Sequence, residues 1–254
     1  MMRSLSILIV MLISSFTLPA QTAQTLFDEA NDQLTAGNYE EALTAYQAIE
    51  QTGEVSGALY LNMGIVATQI DSLGLAKYYF IKASEFNTTQ ARAAEALEYT
   101  ESQFSRQSAM LPKLPWEKAV EWLLEGPGVL TIFLTGFSFI LIGVLLILLK
   151  WFTSFSFQKF NHTLSTVFTT GILILLLSFY IDYVNERYSG AVIIADETQV
   201  RNTASETADI VSLAYEGYSV TIDIKKSAEH KNWVYIRLGN GQFGWMKPEA
   251  LKIL

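Results

Sequence analysis

No cysteine occurs among the 254 residues. Disulfide scaffolds, thiolate nucleophiles, iron–sulfur clusters and cysteine-ligated zinc are therefore excluded. Histidine is nearly as scarce: His162 and His230 are the only two, too few for a histidine-rich metal site. Neither an HExxH pattern nor a glycine-rich phosphate loop is present. Acidic pairs such as Glu40-Glu41 fall on the polar side of a helical pattern and read as solubilising charges, not as a general acid and base. The expectation is a non-enzymatic protein with no cofactor and no metal.

Charge is also missing where it would be informative. No charged residue lies between Gly126 and Leu149, nor between Phe160 and Ile181. A helix of the first length would extend about 36 Å, enough for a lipid hydrocarbon layer with some tilt. Two runs of this kind predict a two-helix transmembrane hairpin. The connecting "KWFTSFSFQK" holds Lys150 and Lys159 and no acid, which favours a cytoplasmic loop. At the amino terminus, Arg3, an apolar stretch from Leu5 to Ile13 and a small residue at Ala20 form a signal-peptide pattern. An uncleaved amino-terminal anchor is the alternative. Both arguments place the soluble parts outside the cytoplasm.

What the soluble parts contain differs sharply. Residues 21–110 carry twelve acidic and four basic side chains, so nucleic acid and anionic lipid would be repelled there. The chain also resembles itself at an offset of 34 residues. Ala30 meets Gly64, Ala42 meets Ala76, Tyr46 meets Phe80 and Tyr39 meets Leu73. A 34-residue helical period is the tetratricopeptide pattern. Its small residues allow close helix contact and its aromatics fill the space around it. Gly37, and Asp71 one period later, are expected at the turns within each pair. Stacking the first helices of successive pairs puts Phe27, Leu61 and Glu95 in one row. Asn31, Ile65 and Tyr99 fall in a second, and Gln69 and Gln103 with Thr35 in a third. These rows are the expected peptide groove.

"LPWEKAVEWLLEGPG" predicts a short interfacial helix before the first apolar run, with Trp116, Val120, Leu123 and Leu124 on one face. Beyond Tyr188 the pattern becomes short alternating strands, "VTIDI", "WVYIRL" and "FGWMK". "GNGQ" gives a tight turn in which Asn240-Gly241 takes positive φ. Gly244 is expected where one strand passes close to its neighbour. The predicted product is a small curled barrel of about five strands. Tyr235 and Trp245 are its candidate recognition surface, with burial in the core an equal reading for Trp245.

"VRNTAS", "LAYEGYSVTI" and "NWVYIRLGNGQFGWM" resemble the bacterial SH3 domains, which implies binding of peptide or peptidoglycan. Together with "GNYEEALTAY" and "NMGIVATQIDSLGLAKYYF", the whole chain resembles the tetratricopeptide/bacterial-SH3 membrane proteins of the Bacteroidetes aerotolerance (Bat) operon, BatE-like. The residue patterns divide the chain into a signal peptide at 1–20, repeats at 21–108, a linker with the interfacial helix at 109–125, spans at 126–149 and 160–181 around a loop at 150–159, and the SH3-like domain at 190–254, an order that the resemblance shares. The resemblance implies a multi-pass inner-membrane scaffold with both modules in the periplasm. Its partners would be von Willebrand A-domain proteins with an AAA+ ATPase, and its role stress tolerance or envelope integrity. A cell-wall sensor or tether, with the barrel on peptidoglycan, is the alternative.

Overall fold

The computed structural model describes residues 18–106, 111–153 and 159–254. The segment expected to be a signal peptide lies outside the described residues up to position 17. So do residues 154–158 of the 150–159 loop.

The chain divides into two compact units. In the first, helices α1 (Leu18–Ala36), α2 (Tyr39–Gln51), α3 (Gly57–Gln69), α4 (Leu73–Ser84) and α5 (Gln90–Gln103) pack in chain order. Their junctions follow local chemistry. Gly37 has φ +81°, its N–H reaches the Leu34 carbonyl at 3.1 Å, and the Asn38 N–H reaches that of Gln33 at 2.9 Å. Thirty-four residues on, Asp71 has φ +59°, its N–H reaches Thr68 at 3.3 Å, and the Ser72 N–H reaches Ala67 at 2.9 Å. The two turns share one hydrogen-bond pattern of the kind that closes a helix on a left-handed residue. At the start of α3, Ser56 Oγ accepts from the Leu59 N–H at 3.1 Å.

The small residues sit where helices touch. Ala30, Ala42, Ala76 and Ala83 are fully buried. A Cβ on Gly64 would lie 2.4 Å from the Phe80 ring. The same core takes in Val192, with Leu254 packed on it, so it continues from the helices into the strands.

Seven strands form the rest of this unit: β1 (Tyr188–Ile193), β2 (Glu197–Arg201), β3 (Ile210–Tyr215), β4 (Ser219–Asp223), β5 (Val234–Leu238), β6 (Phe243–Met246) and β7 (Leu251–Ile253). Their order in the sheet is β3-β2-β6-β5-β4-β1-β7. The sheet is open, with β3 and β7 as edges, and is not a closed five-stranded SH3-like barrel. Closure would need β3 and β7 to pair, but β7 is three residues long and pairs with β1. On the other side, β2 meets β6 at the single pair Arg201↔Trp245, beside a register shift at Val200/Arg201. Helices α1–α5 form a helical bundle packed on this open sheet, which replaces the expected tetratricopeptide array.

The second unit covers 111–189 with 223–225. It contains α6 (Pro115–Glu125), α7 (Gly128–Phe152) and α8 (Phe160–Arg187). Gly136 and Gly143 of α7 lie against α8, where an added Cβ would come within 3.0 Å of Ile174 and 2.8 Å of Phe168. Gly171 of α8 returns the contact on Phe139 and Ile140. Ser178 Oγ donates to the Val129 carbonyl at 3.2 Å. At the end of α8, Arg187 grips the Asp223 carboxylate through Nε and Nη2, at 3.1 and 2.7 Å.

By length and composition, α7 and α8 could cross a membrane, with mean hydropathy 2.8 and 2.0 over their most apolar windows. The placement as a multi-pass inner-membrane protein with two periplasmic modules does not stand. Among the described residues these are the only two such helices, each marginal evidence and little buried, and most of the folded chain lies outside them. Lys150 and Lys159, which gave the orientation, both lie among the described residues at the facing ends of the two helices, but no membrane is present against which they could orient either helix.

Candidate functional site: an aromatic and cationic ladder on the sheet

The β5–β6 hairpin is built from alternation. Val234, Ile236, Leu238, Gly244 and Met246 point to the core. The turn is closed by the Gly241 N–H on the Leu238 carbonyl at 2.9 Å and by the Leu238 N–H on Gln242 at 2.8 Å. Gly241 alone takes positive φ, at +83°, and Asn240 does not. Its side chain instead accepts from the Gln242 N–H at 3.0 Å. Gly244 is required by proximity: a Cβ there would lie 2.5 Å from Val200 Cγ1 and 2.7 Å from the Arg201 carbonyl.

The opposite face of the hairpin carries the alternate residues. Tyr235 stands across from Trp245 and Arg237 across from Phe243. Tyr235 and Phe243 stack at 6.1 Å, and Tyr235 meets Trp245 edge-on at 5.1 Å. Cations lie over these rings: Lys226 Nζ is 3.4 Å from the Tyr235 centroid, Lys247 Nζ is 4.4 Å from that of Trp233, and Arg237 is 5.8 Å from that of Phe243. Such pairs hold side chains in register while leaving the outer ring faces partly open.

Beside Trp233 lies a cavity of about 290 Å³, lined also by Glu197, Thr198, Gln199, Arg201, Glu206 and Lys247. Its charges are fixed. Lys247 pairs with Glu206 at 2.5 Å, and that hydrogen bond holds the Glu206 carboxyl below the usual carboxylate range. Arg201 donates to the Ala208 carbonyl at 2.6 Å and to Gln199 Oε1 at 2.5 Å. The arrangement offers ring faces for flat apolar patches and both signs of charge for polar substituents. Among the described residues, no group of three or more carboxylates and histidines could hold a metal ion.

Of the two sheet residues singled out from sequence, Tyr235 is half-buried and central to the ladder. Trp245 is only 6% exposed. It lies beneath His230, whose ring meets it edge-on at 4.7 Å, and beneath Tyr235. The structure therefore puts Trp245 in a supporting role and brings Trp233, Phe243, Lys226 and Lys247 to the surface around it. The alternation that found Tyr235 also reaches Trp233 and Phe243. The lysines carried no sequence signal, because their partners lie across the sheet.

The expected helical groove is only partly gathered. Ile65, Gln69, Glu95, Tyr99 and Gln103 are exposed, Tyr99 by 59%. Leu61 is buried in the core, and Phe27 packs on Tyr46 at 5.8 Å. Asn31 is committed inside the bundle: its Oδ1 accepts from the Tyr46 hydroxyl at 2.6 Å and from Asn62 Nδ2 at 2.8 Å. Burial pushes the Tyr46 hydroxyl above its usual pKa, which keeps it a donor. This triad was missed because nothing in the 34-residue period links Asn31 to Tyr46 and Asn62.

No curated protein matches the chain. The comparison with protein families matches residues 180–252 to the GW (Gly-Tryp) dipeptide domain, and Gly244-Trp245 is such a dipeptide within that span. This match replaces the likeness to the Bat operon proteins, which rested on the order of repeat, hairpin and barrel. The region carrying the ladder is thus similar to a GW domain over about seventy residues.

Proposed function

We propose that the chain is a membrane-associated, non-catalytic attachment protein whose GW-like sheet binds a cell-wall polymer, with peptidoglycan as the ligand. The observation that carries this reading is the coincidence of the GW match with the ladder of half-buried Trp233 and Tyr235 and exposed Phe243 beside Lys226, Arg237 and Lys247. GW domains mediate cell-wall binding in some proteins. Peptidoglycan suits the surface chemically. Its sugar rings present flat apolar faces that lie against aromatic rings. Its stem peptides present carboxylates for Lys247 and Arg201 and amines for Glu197 and Glu206. The two apolar helices supply the membrane association. The earlier scaffold reading, with von Willebrand A-domain proteins and an AAA+ ATPase, lost its support with the Bat likeness.

The test is co-sedimentation of the detergent-solubilised full chain with purified peptidoglycan sacculi. Trp233→Ala and Lys247→Ala should each weaken sedimentation about tenfold or more, the loss that a stacked or ion-paired contact of about 1.4 kcal/mol represents. Hydrogen exchange of β5 and β6 checks that the sheet remains folded. Undiminished binding by both folded variants, or no binding by the parent chain, would overturn the proposal.

A further inference from the structure

Helix α6 packs on both α7 and α8, and its half-buried Val120, Leu123 and Leu124 account for one flank. The sequence placed Trp116 on that same flank. Around the axis it stays in line with Val120 and Leu123, yet in the first turn it is left 61% exposed, and Trp122, on another face, is 67% exposed. Six helical residues apart, the two indoles diverge by about 120° around the axis, with Ala119 midway between them. They bound a broad, shallow stripe with a small residue at its centre. A protein groove takes a row of knobs along one line; a stripe edged by two indoles fits a plane. The preceding segment adds exposed Leu111 and Leu114. The next helix continues the apolar surface at Leu130, which is 69% exposed, and Leu134.

The charges complete the argument. Glu117, Glu121 and Glu125 follow one another around the far side, with Lys118 among them, and Lys113 pairs with Glu121. Glu117 also accepts from the Leu114 N–H at 2.9 Å, which caps the start of the helix. A surface helix that binds anionic lipid carries an excess of lysine and arginine. This one carries an excess of acid.

We propose that α6 lies in the interfacial layer of a zwitterionic lipid bilayer, with Trp116 and Trp122 in the headgroup region and the glutamates toward water. The proposal rests on the membrane association named above, but requires no crossing, orientation or compartment. It is independent of wall binding. Indoles favour this depth because the ring is apolar and its N–H still finds a partner.

Single-tryptophan versions of the full chain, keeping Trp116 or Trp122 and replacing the other four with Phe, would be reconstituted into phosphatidylcholine vesicles. Co-flotation reads association by itself. Phosphatidylcholine brominated near the headgroup should quench both tryptophans more strongly than lipid brominated near the chain end. Replacing a third of the lipid by phosphatidylglycerol should not strengthen flotation or quenching. Flotation with neither tryptophan quenched by brominated lipid would overturn the proposal while leaving association standing. That holds whether they are open to iodide or shielded from it by a second copy or another protein. Failure to float would remove both, and binding that requires phosphatidylglycerol would overturn the lipid class.

Discussion

Gly64 offers the sharpest test of how the helices pack. A methyl group there would lie 2.4, 2.5 and 2.9 Å from three atoms of the Phe80 ring, where carbon atoms prefer about 3.5–4.0 Å. The ring would have to retreat by about 1 Å. It has little room, because Phe80 is 3% exposed and Val66, Ala67 and Ala76 are fully buried. Overpacking of this kind costs about 1–3 kcal/mol. Against it stands the helix preference of Ala over Gly, about 1 kcal/mol. Gly64→Ala is therefore near neutral to about 2 kcal/mol destabilising, and its net value alone decides little. The double-mutant cycle with Phe80→Leu decides more. Removing the ring leaves the methyl only its helix benefit, so the two substitutions should couple by about 1–3 kcal/mol. Hydrogen exchange of the amides of α3 and α4 is the suitable readout, since it reports opening of these helices without requiring the whole chain to unfold in one step. Each 1.4 kcal/mol appears as a tenfold change in protection. Additive effects, with no coupling beyond about 0.5 kcal/mol, would refute the claim that the Phe80 ring forbids a side chain at position 64.

Other consequences follow from the same unit. Asp71→Gly should stabilise the α3–α4 turn by about 1 kcal/mol, since φ +59° costs a non-glycine residue strain that Gly does not have; slower exchange at Ser72 and Leu73 would show it. Lys77→Met should cost about 1–3 kcal/mol by orphaning the Gly217 carbonyl, which Lys77 Nζ reaches at 3.0 Å, while the more exposed Glu101 of the same cluster rehydrates; the measurement is thermal unfolding followed by fluorescence in a version that keeps Trp233 as its one tryptophan. Glu216→Gln should remove a pH dependence. Burial holds the Glu216 carboxyl above its ordinary pKa, so the folded state binds its proton more tightly and its contribution to stability is present at low pH and declines as pH rises through the raised value. The amide keeps an acceptor for the Gly74 N–H, now at 2.7 Å from Oε1, so the variant should gain on the parent chain as pH rises. An advantage that instead grows toward acid would reverse the assignment.

Local signals were legible in the sequence and crossing ones were not. Gly37, Asp71, Gly241 and Gly244 each report a backbone requirement that a single residue type reveals. The spacing of Ala42 and Ala76 likewise announced buried contacts. The sheet was harder. The segments of β4, β5 and β6 alternate visibly, but β1 continues almost directly from α8 and β7 is three residues long, so neither has room to show a period. An open edge or a closed seam depends on which strands meet at the ends, and alternation says nothing about that. The site divides the same way. Alternation finds Tyr235, Trp233 and Phe243, and no local pattern can say that His230 would cover Trp245 or that Lys247 would settle over Trp233.

The least legible feature is the one that joins helices to sheet. The carboxylate of Glu216, at the β3–β4 turn, receives the Gly74 N–H in the first turn of α4, where Ser72 provides no side-chain cap. These residues are 142 positions apart. One turn further along α4, Lys77 donates to the Gly217 carbonyl, and Phe104, just past α5, closes over Gly217 so tightly that a Cβ would lie 2.2 Å from its ring. Arg106 stacks 4.0 Å above Tyr215. Gly74 has no side chain because one would meet the Ile193 carbonyl at 2.5 Å. With Val192 inside the helical core, the strands from β1 to β7 lose both buried apolar surface and the Glu216–Gly74 hydrogen bond when cut away from α4 and α5. A binding experiment on residues 190–254 alone would thus test a sheet missing part of its support. The full chain is the right object, and a loss of wall binding in the fragment with hydrogen exchange raised across β1 and the β3–β4 turn would be the signature of that missing support, not of an absent site.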